Sequence, residues 1–256
     1  MIEAAHGPRR GVALLPSLFT LGNMFCGYAC VIYAMRGDFE TAAPFVGIAI
    51  VLDMLDGRIA RLTGTASEFG VQFDSMADVI SFGMAPAILA FTWGLDQLGR
   101  PGWAAAFLFV TAAALRLARF NIQAAAVDKR YFVGMPSPAA AGVIAATVFA
   151  YPAGLGDPQA AFAAMALVVV PAILMVSTVR FRSFKTFDLQ ARRPFRILIF
   201  FAVLITAIVT HPQIVLVLLA YAYLASPLLG ALVTRVRRRP QAPAAEESPS
   251  SRDPSR

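Results

Sequence analysis

The chain has 256 residues, 58% of them hydrophobic and only 14% charged; that charged share is about half of what a soluble domain carries. This balance excludes an ordinary soluble enzyme and leaves a polytopic membrane protein. A net charge of +7 comes without any basic domain or recognition motif, so nucleic acid is excluded as a partner and anionic lipid headgroups are expected instead.

In chain order, "GPRR" within segment 1–13 precedes the first apolar run. No small-residue cleavage site follows it, so the run reads as a retained span behind a cytoplasmic N-terminal segment. Runs of roughly 20 apolar residues match the hydrocarbon thickness. Eight transmembrane helices are predicted, near 14–35, 41–61, 70–93, 102–122, 136–153, 158–179, 194–211 and 213–235. "RGDFE", "GLDQLGRPG", "AGLGDPQ" and "THPQ" supply short turns, while the connections on the other side are longer and more basic. Cys26 and Cys30 lie four apart on the first span and read as small packing residues.

The alternation sets a direction. With the N-terminus in the cytoplasm, only Arg36 and Arg100 of the 22 basic residues fall outside, which is the positive-inside pattern. The C-terminus is then cytoplasmic too. Trp93, Trp103 and Tyr151 fall near the predicted outer boundary. The loop Arg180–Arg196 reads as a surface for anionic lipid, and 240–256 ("PQAPAAEESPSSRDPSR") as a disordered cytoplasmic tail. Residues 14–239 form one transmembrane domain, so the expected fold is an all-α polytopic helical bundle.

Four of the fifteen acidic residues lie inside predicted spans: Asp53, Asp56, Asp74 and Asp78. A charge near the bilayer centre costs at least about 2.5 kcal/mol, so these are not decoration. Asp53 and Asp56 are three apart and Asp74 and Asp78 four apart, so each pair shares a helix face. The short connection "LTGTASEF" predicts antiparallel neighbouring helices and one cluster of four carboxylates. Their mutual repulsion calls for a cation, and hard oxygen ligands suit Mg²⁺ or Mn²⁺, with room for two ions. Gly57 removes a side chain one turn before Arg61, whose planar fork suits phosphate oxygens. Ala60 adds a small surface and Ser67 a hydroxyl. Metal, arginine and a glycine gap suit a pyrophosphate, yet no Walker-type loop is present. Paired aspartates on membrane helices could equally line a proton or cation pathway, as in a cation-coupled transporter. A histidine-centred, phospholipase-D-like mechanism is disfavoured, since the chain has only His6 and His211.

The pattern Asp53-x-x-Asp56-Gly57-x-x-Ala60-Arg61, eight residues, then Gly70-x-x-x-Asp74-x-x-x-Asp78 resembles the signature of the CDP-alcohol phosphatidyltransferases at every defined position. The blocks "LPSLFTLGNMFCG", "SFGMAPA", "LRLARFN" and "FVGMPSPAAA" are similar to those of the membrane-embedded branch that uses L-serine as acceptor. Ser17 departs from that branch, where asparagine often follows the proline.

The resemblance implies that Asp53, Asp56, Asp74 and Asp78 ligate two divalent ions, Mg²⁺ or Mn²⁺, with Asp78 also the general base. It implies that Gly57, Ala60, Arg61, Ser67 and Gly70 contact CDP-diacylglycerol, with Thr20 and Asn23 of the first helix in the nucleotide wall. Arg116, Arg119 and Asn121 are candidates for holding serine, with helix anchoring at the interface as the alternative for the arginines. Ser137 stands where it could cap the next helix. The implied reaction moves a phosphatidyl group from CDP-diacylglycerol to L-serine; glycerol phosphate or inositol as acceptor would leave the core signature unchanged. A homodimer in a bacterial cytoplasmic membrane, with the site facing the cytoplasm, completes the expectation.

Overall fold

The computed structural model describes residues 14–63, 67–123, 131–178, 180–182 and 194–237. The expectations for 1–13, for most of the basic loop and for the tail 240–256 fall outside the described residues. Each predicted span coincides with a helical run: α1 (Leu14–Met35), α2 (Phe39–Thr63), α3 (Glu68–Asp78) leading into α4 (Ala85–Trp93), α5 (Arg100–Gln123), α6 (Ser137–Ala150), α7 (Pro158–Val176), α8 (Pro194–Thr210) and α9 (Pro212–Arg237). The breakers act as caps. Asp38 accepts from Thr41 N (3.1 Å) ahead of α2, and Asp157 accepts from Gln159 N (3.2 Å) at the start of α7; each satisfies a backbone donor that a helix start leaves unpaired.

The run from Glu68 to Trp93 is not one regular helix. Between α3 and α4 the chain winds as a π-helix over Val79–Met84, a local widening that is rare overall and frequent at functional sites. Among the described residues, four helical runs are long and apolar enough to cross a membrane: Pro16–Met35, Glu68–Trp93, Arg100–Ile122 and Pro158–Val176. Of the others, α2 carries Glu40, Asp53, Asp56, Arg58 and Arg61, and α6 is only 14 residues long.

Helix α6 sits at the centre, packed on α2, α4, α7 and α9. It is apolar all round, with Ala140, Ala141, Val143, Ile144 and Val148 fully buried, as a core helix must be. Small residues such as Ala34, Ala42, Ala43 and Ala49 are buried in the core and let backbones approach closely, the packing that holds helices together in lipid. Leu18, Phe25, Tyr28, Phe107, Ile173 and Val203 point outward. Apolar surface on this scale would be a liability in water and is the expected lining toward acyl chains; the chain is an integral membrane protein. Helix α8 packs chiefly on α9.

Among the described residues, one short ladder departs from an all-helical fold. Strands β1 (Tyr131–Val133) and β2 (Arg180–Arg182) pair antiparallel, Phe132 opposite Phe181. This short ladder ties the segment before α6 to the segment after α7. One sequence expectation changes. Trp93 is in the core rather than at an interface, 4% exposed, with Nε1 donating to the Tyr151 carbonyl at 2.8 Å. The runs that hold the two carboxylate pairs are neighbours as expected: α2 meets the second run at α4 and the π-helix, while α3 diverges from it, each of α2 and α3 packing on α1, and a cavity opens between them.

Candidate functional site

That cavity, about 500 Å³, is lined by the signature residues from both helices. From α2 come Asp53, Asp56, Gly57, Ala60 and Arg61, whose three- and four-residue spacings stack them on one face. From α3 come Gly70, Asp74 and Asp78, with Ser67 at its start. Ser67 is the N-cap of α3: its Oγ accepts from Gly70 N at 3.0 Å. The hydroxyl expected to meet a ligand therefore also fixes where α3 begins.

Asp53, Asp74 and Asp78 each offer a carboxylate oxygen, and the three oxygens lie within 4.8 Å of one another. Asp56 lines the same cavity but stands apart from this trio, accepting a hydrogen bond from Thr20 Oγ1. Asp78 is 8% exposed and Asp56 5%. The Oδ1 of Asp74 is buried with no hydrogen-bond partner among the described residues. A hydrogen-bond acceptor left in this state costs about 1–3 kcal/mol, whereas a cation would use its lone pairs. The trio and the orphaned oxygen fit a hard divalent ion.

Gly57 supplies the second half of the argument. A Cβ built there would meet nothing within 4 Å, so no protein packing requires a glycine. The open face belongs to the cavity. Arg61 Nε donates to the Gly57 carbonyl at 2.7 Å, holding the guanidinium on that face.

The opposite wall comes from α5 and the start of α6. Arg116 lines the cavity and donates through Nη1 to Ser137 Oγ at 2.8 Å. Ser137 is the first residue of α6, whose N-cap is Pro136; the expected capping serine is instead a partner of Arg116. Asn121 also lines the cavity, donating to Ser75 Oγ at 2.9 Å. Arg119 is not among the lining residues. Thr20 lines the cavity, whereas Asn23 is fully buried outside the lining, its Nδ2 donating to Asp78 Oδ1 at 3.2 Å.

Sequence reasoning missed Ser75, Pro136 and Pro138, which also line the cavity. Ser75 sits next to Asp74, but nothing in its spacing separates it from a solvent-facing helix serine. A second cavity of about 570 Å³, around Trp93, Tyr151 and Tyr221, is lined by no carboxylate or basic side chain.

Comparison with known proteins agrees with the signature. The profile of the family described as CDP-alcohol phosphatidyltransferase matches residues 13–176. Relatives include the CDP-diacylglycerol–serine O-phosphatidyltransferase of Helicobacter pylori, 41% identical over 181 residues, covering 70% of this chain and 76% of that protein. The protein of the same description from Mycobacterium leprae is 30% identical over 224 residues, covering 84% and 74%. The archaetidylserine synthase of Methanothermobacter thermautotrophicus is 33% identical over 174 residues, covering 65% and 69%. The matched region runs from the first helix to the end of α7 and contains every residue around the carboxylate cavity, so the chain belongs to the CDP-alcohol phosphatidyltransferase family.

Proposed function

We propose that this protein is a CDP-diacylglycerol–serine O-phosphatidyltransferase, moving a phosphatidyl group from CDP-diacylglycerol to the hydroxyl of L-serine and releasing CMP. The observation that carries the chemistry is one cavity shared by three clustered carboxylates, the open face of Gly57 and Arg61. The acceptor is read from relatives up to 41% identical that are described as serine transferases.

Asp53, Asp74 and Asp78, with Asp56 on the same wall, are the residues that would hold two divalent ions, Mg²⁺ or Mn²⁺. When bound, such ions neutralise the pyrophosphate and stabilise entering and leaving oxygens together. Gly57 leaves room for the CDP phosphates and Ala60 and Gly70 widen the same gap, while Arg61 and Ser67 offer donors to their oxygens. Thr20 borders the nucleotide side. Asp78 accepts the proton of the serine hydroxyl as its oxygen attacks the phosphorus bearing diacylglycerol. A new P–O bond to serine forms, the P–O bond to CMP breaks, and CMP leaves with the electron pair. Arg116, set by Ser137, binds the serine carboxylate, with Asn121 beside it.

The bundle has eight membrane-crossing helices within 14–239, both termini cytoplasmic, in a bacterial cytoplasmic membrane. The basic residues on the inner side support this orientation. CDP-diacylglycerol enters from the inner leaflet with its acyl chains still in lipid, anionic lipids contact the basic loops, and the protein works as a homodimer.

The test is CMP release by purified protein in mixed micelles. Release is expected to require L-serine, to stop with a chelator, and to return with Mn²⁺ or Mg²⁺. CMP release driven equally by glycerol phosphate or inositol would refute the acceptor, and none with any alcohol would refute the enzyme.

A further inference from the structure

Asn23 is fully buried in α1, yet it does not line the cavity that Asp78 lines. Its Nδ2 donates to Asp78 Oδ1 at 3.2 Å, and its own backbone carbonyl accepts from Ser81 Oγ at 2.9 Å. Ser81 lies three residues beyond Asp78, inside the π-helix. Helix α1 therefore grips the same helical run twice, once at the carboxylate and once in the irregular turn behind it. One turn further along α1, Gly27 allows this approach. A Cβ there would lie 2.6 Å from Ser81 Oγ and 2.8 Å from Ser81 Cα.

Packing does not account for the amide. Asn23 Oδ1 is buried with no partner among the described residues, so half of the side chain has lost water and gained nothing. Leucine has the same branched skeleton, though a larger volume, and would leave no orphaned acceptor. A polar group kept in a lipid-embedded core at this expense acts through its remaining bond, and that bond goes to Asp78.

We infer that Asn23 is a positioning residue: it holds one oxygen of Asp78 from behind the cavity and so fixes the orientation in which the carboxylate meets its ligands. The π-helix and Ser81 set the distance across which the amide reaches. This role differs from a place in the nucleotide wall, and it rests on the phosphatidyl-transfer reading of the site.

The test compares wild type with Asn23→Leu, both purified in detergent. Mn²⁺ affinity is read by electron paramagnetic resonance without substrates; kcat and KM are read from serine-dependent CMP release. Groups that orient metal ligands in this way are typically worth about 10- to 100-fold in metal affinity or activity. Asn23→Leu is expected to weaken Mn²⁺ binding and lower kcat by that order, with KM for CDP-diacylglycerol within about threefold of wild type. Should Asn23→Leu fail to elute as a monodisperse species, Asn23→Ala takes its place under the same criteria, since it is smaller than asparagine and carries no donor. Wild-type Mn²⁺ affinity and kcat in the variant, or a rise in KM for CDP-diacylglycerol alone, would overturn the inference. Wild-type protein that bound no Mn²⁺ and released no CMP would overturn the functional reading together with it.

Discussion

Single residues separate ligand binding from protein packing most sharply at Gly57. Alanine there meets no protein atom within 4 Å, and alanine exceeds glycine in helix propensity by about 0.8–1 kcal/mol. Gly57→Ala is expected to melt no lower than wild type while KM for CDP-diacylglycerol rises. Thermal unfolding and CMP release on the same preparation check this, and a fall in both would mean the glycine is structural. For Asp78→Asn, loss of the proposed base predicts a fall in turnover of about 10²–10⁴-fold, with CDP-diacylglycerol binding reduced much less. Equal losses in a binding assay and in turnover would argue against the base role. Arg116 donates to Ser137 through Nη1, and the planar fork of its guanidinium matches a carboxylate. Lysine keeps the charge and loses the fork, so Arg116→Lys is expected to raise KM for serine about tenfold or more, the worth of a charge-assisted hydrogen bond.

Between elements, two close approaches fix the site. Gly27 lets α1 lie against the π-helix, and a Cβ at this position would strike the Ser81 backbone at 2.8 Å. Overpacking of this kind costs about 1–3 kcal/mol. Gly27→Ala is therefore expected to lower both the melting temperature and kcat, whereas Gly57→Ala leaves stability intact. At the other wall, Gly134 has φ +85°, and a Cβ on it would lie 2.4 Å from the Met175 carbonyl. Beside it, Met135 N donates to Leu174 O at 2.9 Å. This contact, with the β1–β2 ladder, holds the turn that presents Ser137 to Arg116.

Across the whole molecule, the proposed orientation puts the carboxylate cavity on the inner side and the Asp96 turn on the outer side. Cys26 and Cys30 are buried and free, so they provide a quiet background for single-cysteine labelling. An impermeant thiol reagent applied to intact cells is expected to modify Asp96→Cys and to spare Arg58→Cys until the membrane is opened. The reverse pattern would invert the topology. Both positions are exposed in the fold, so accessibility reports sidedness rather than burial.

The residues by themselves determined the helical segments, because 20-residue apolar runs and their Gly, Pro and Asp breakers are local signals. They also determined the signature face of α2, because 3.6-residue periodicity stacks Asp53, Asp56, Gly57, Ala60 and Arg61 without help from the rest of the chain. Tertiary structure decided what periodicity cannot carry. It separated α2 from α3 and packed each on α1, tied Asp56 to Thr20 and left Asp53, Asp74 and Asp78 as the close trio. It moved Trp93 into the core and gave Ser137 to Arg116. Each of these depends on residues far apart in the chain meeting across a packed interface, and a sequence read along its length holds the partners of such a meeting but not the distance between them.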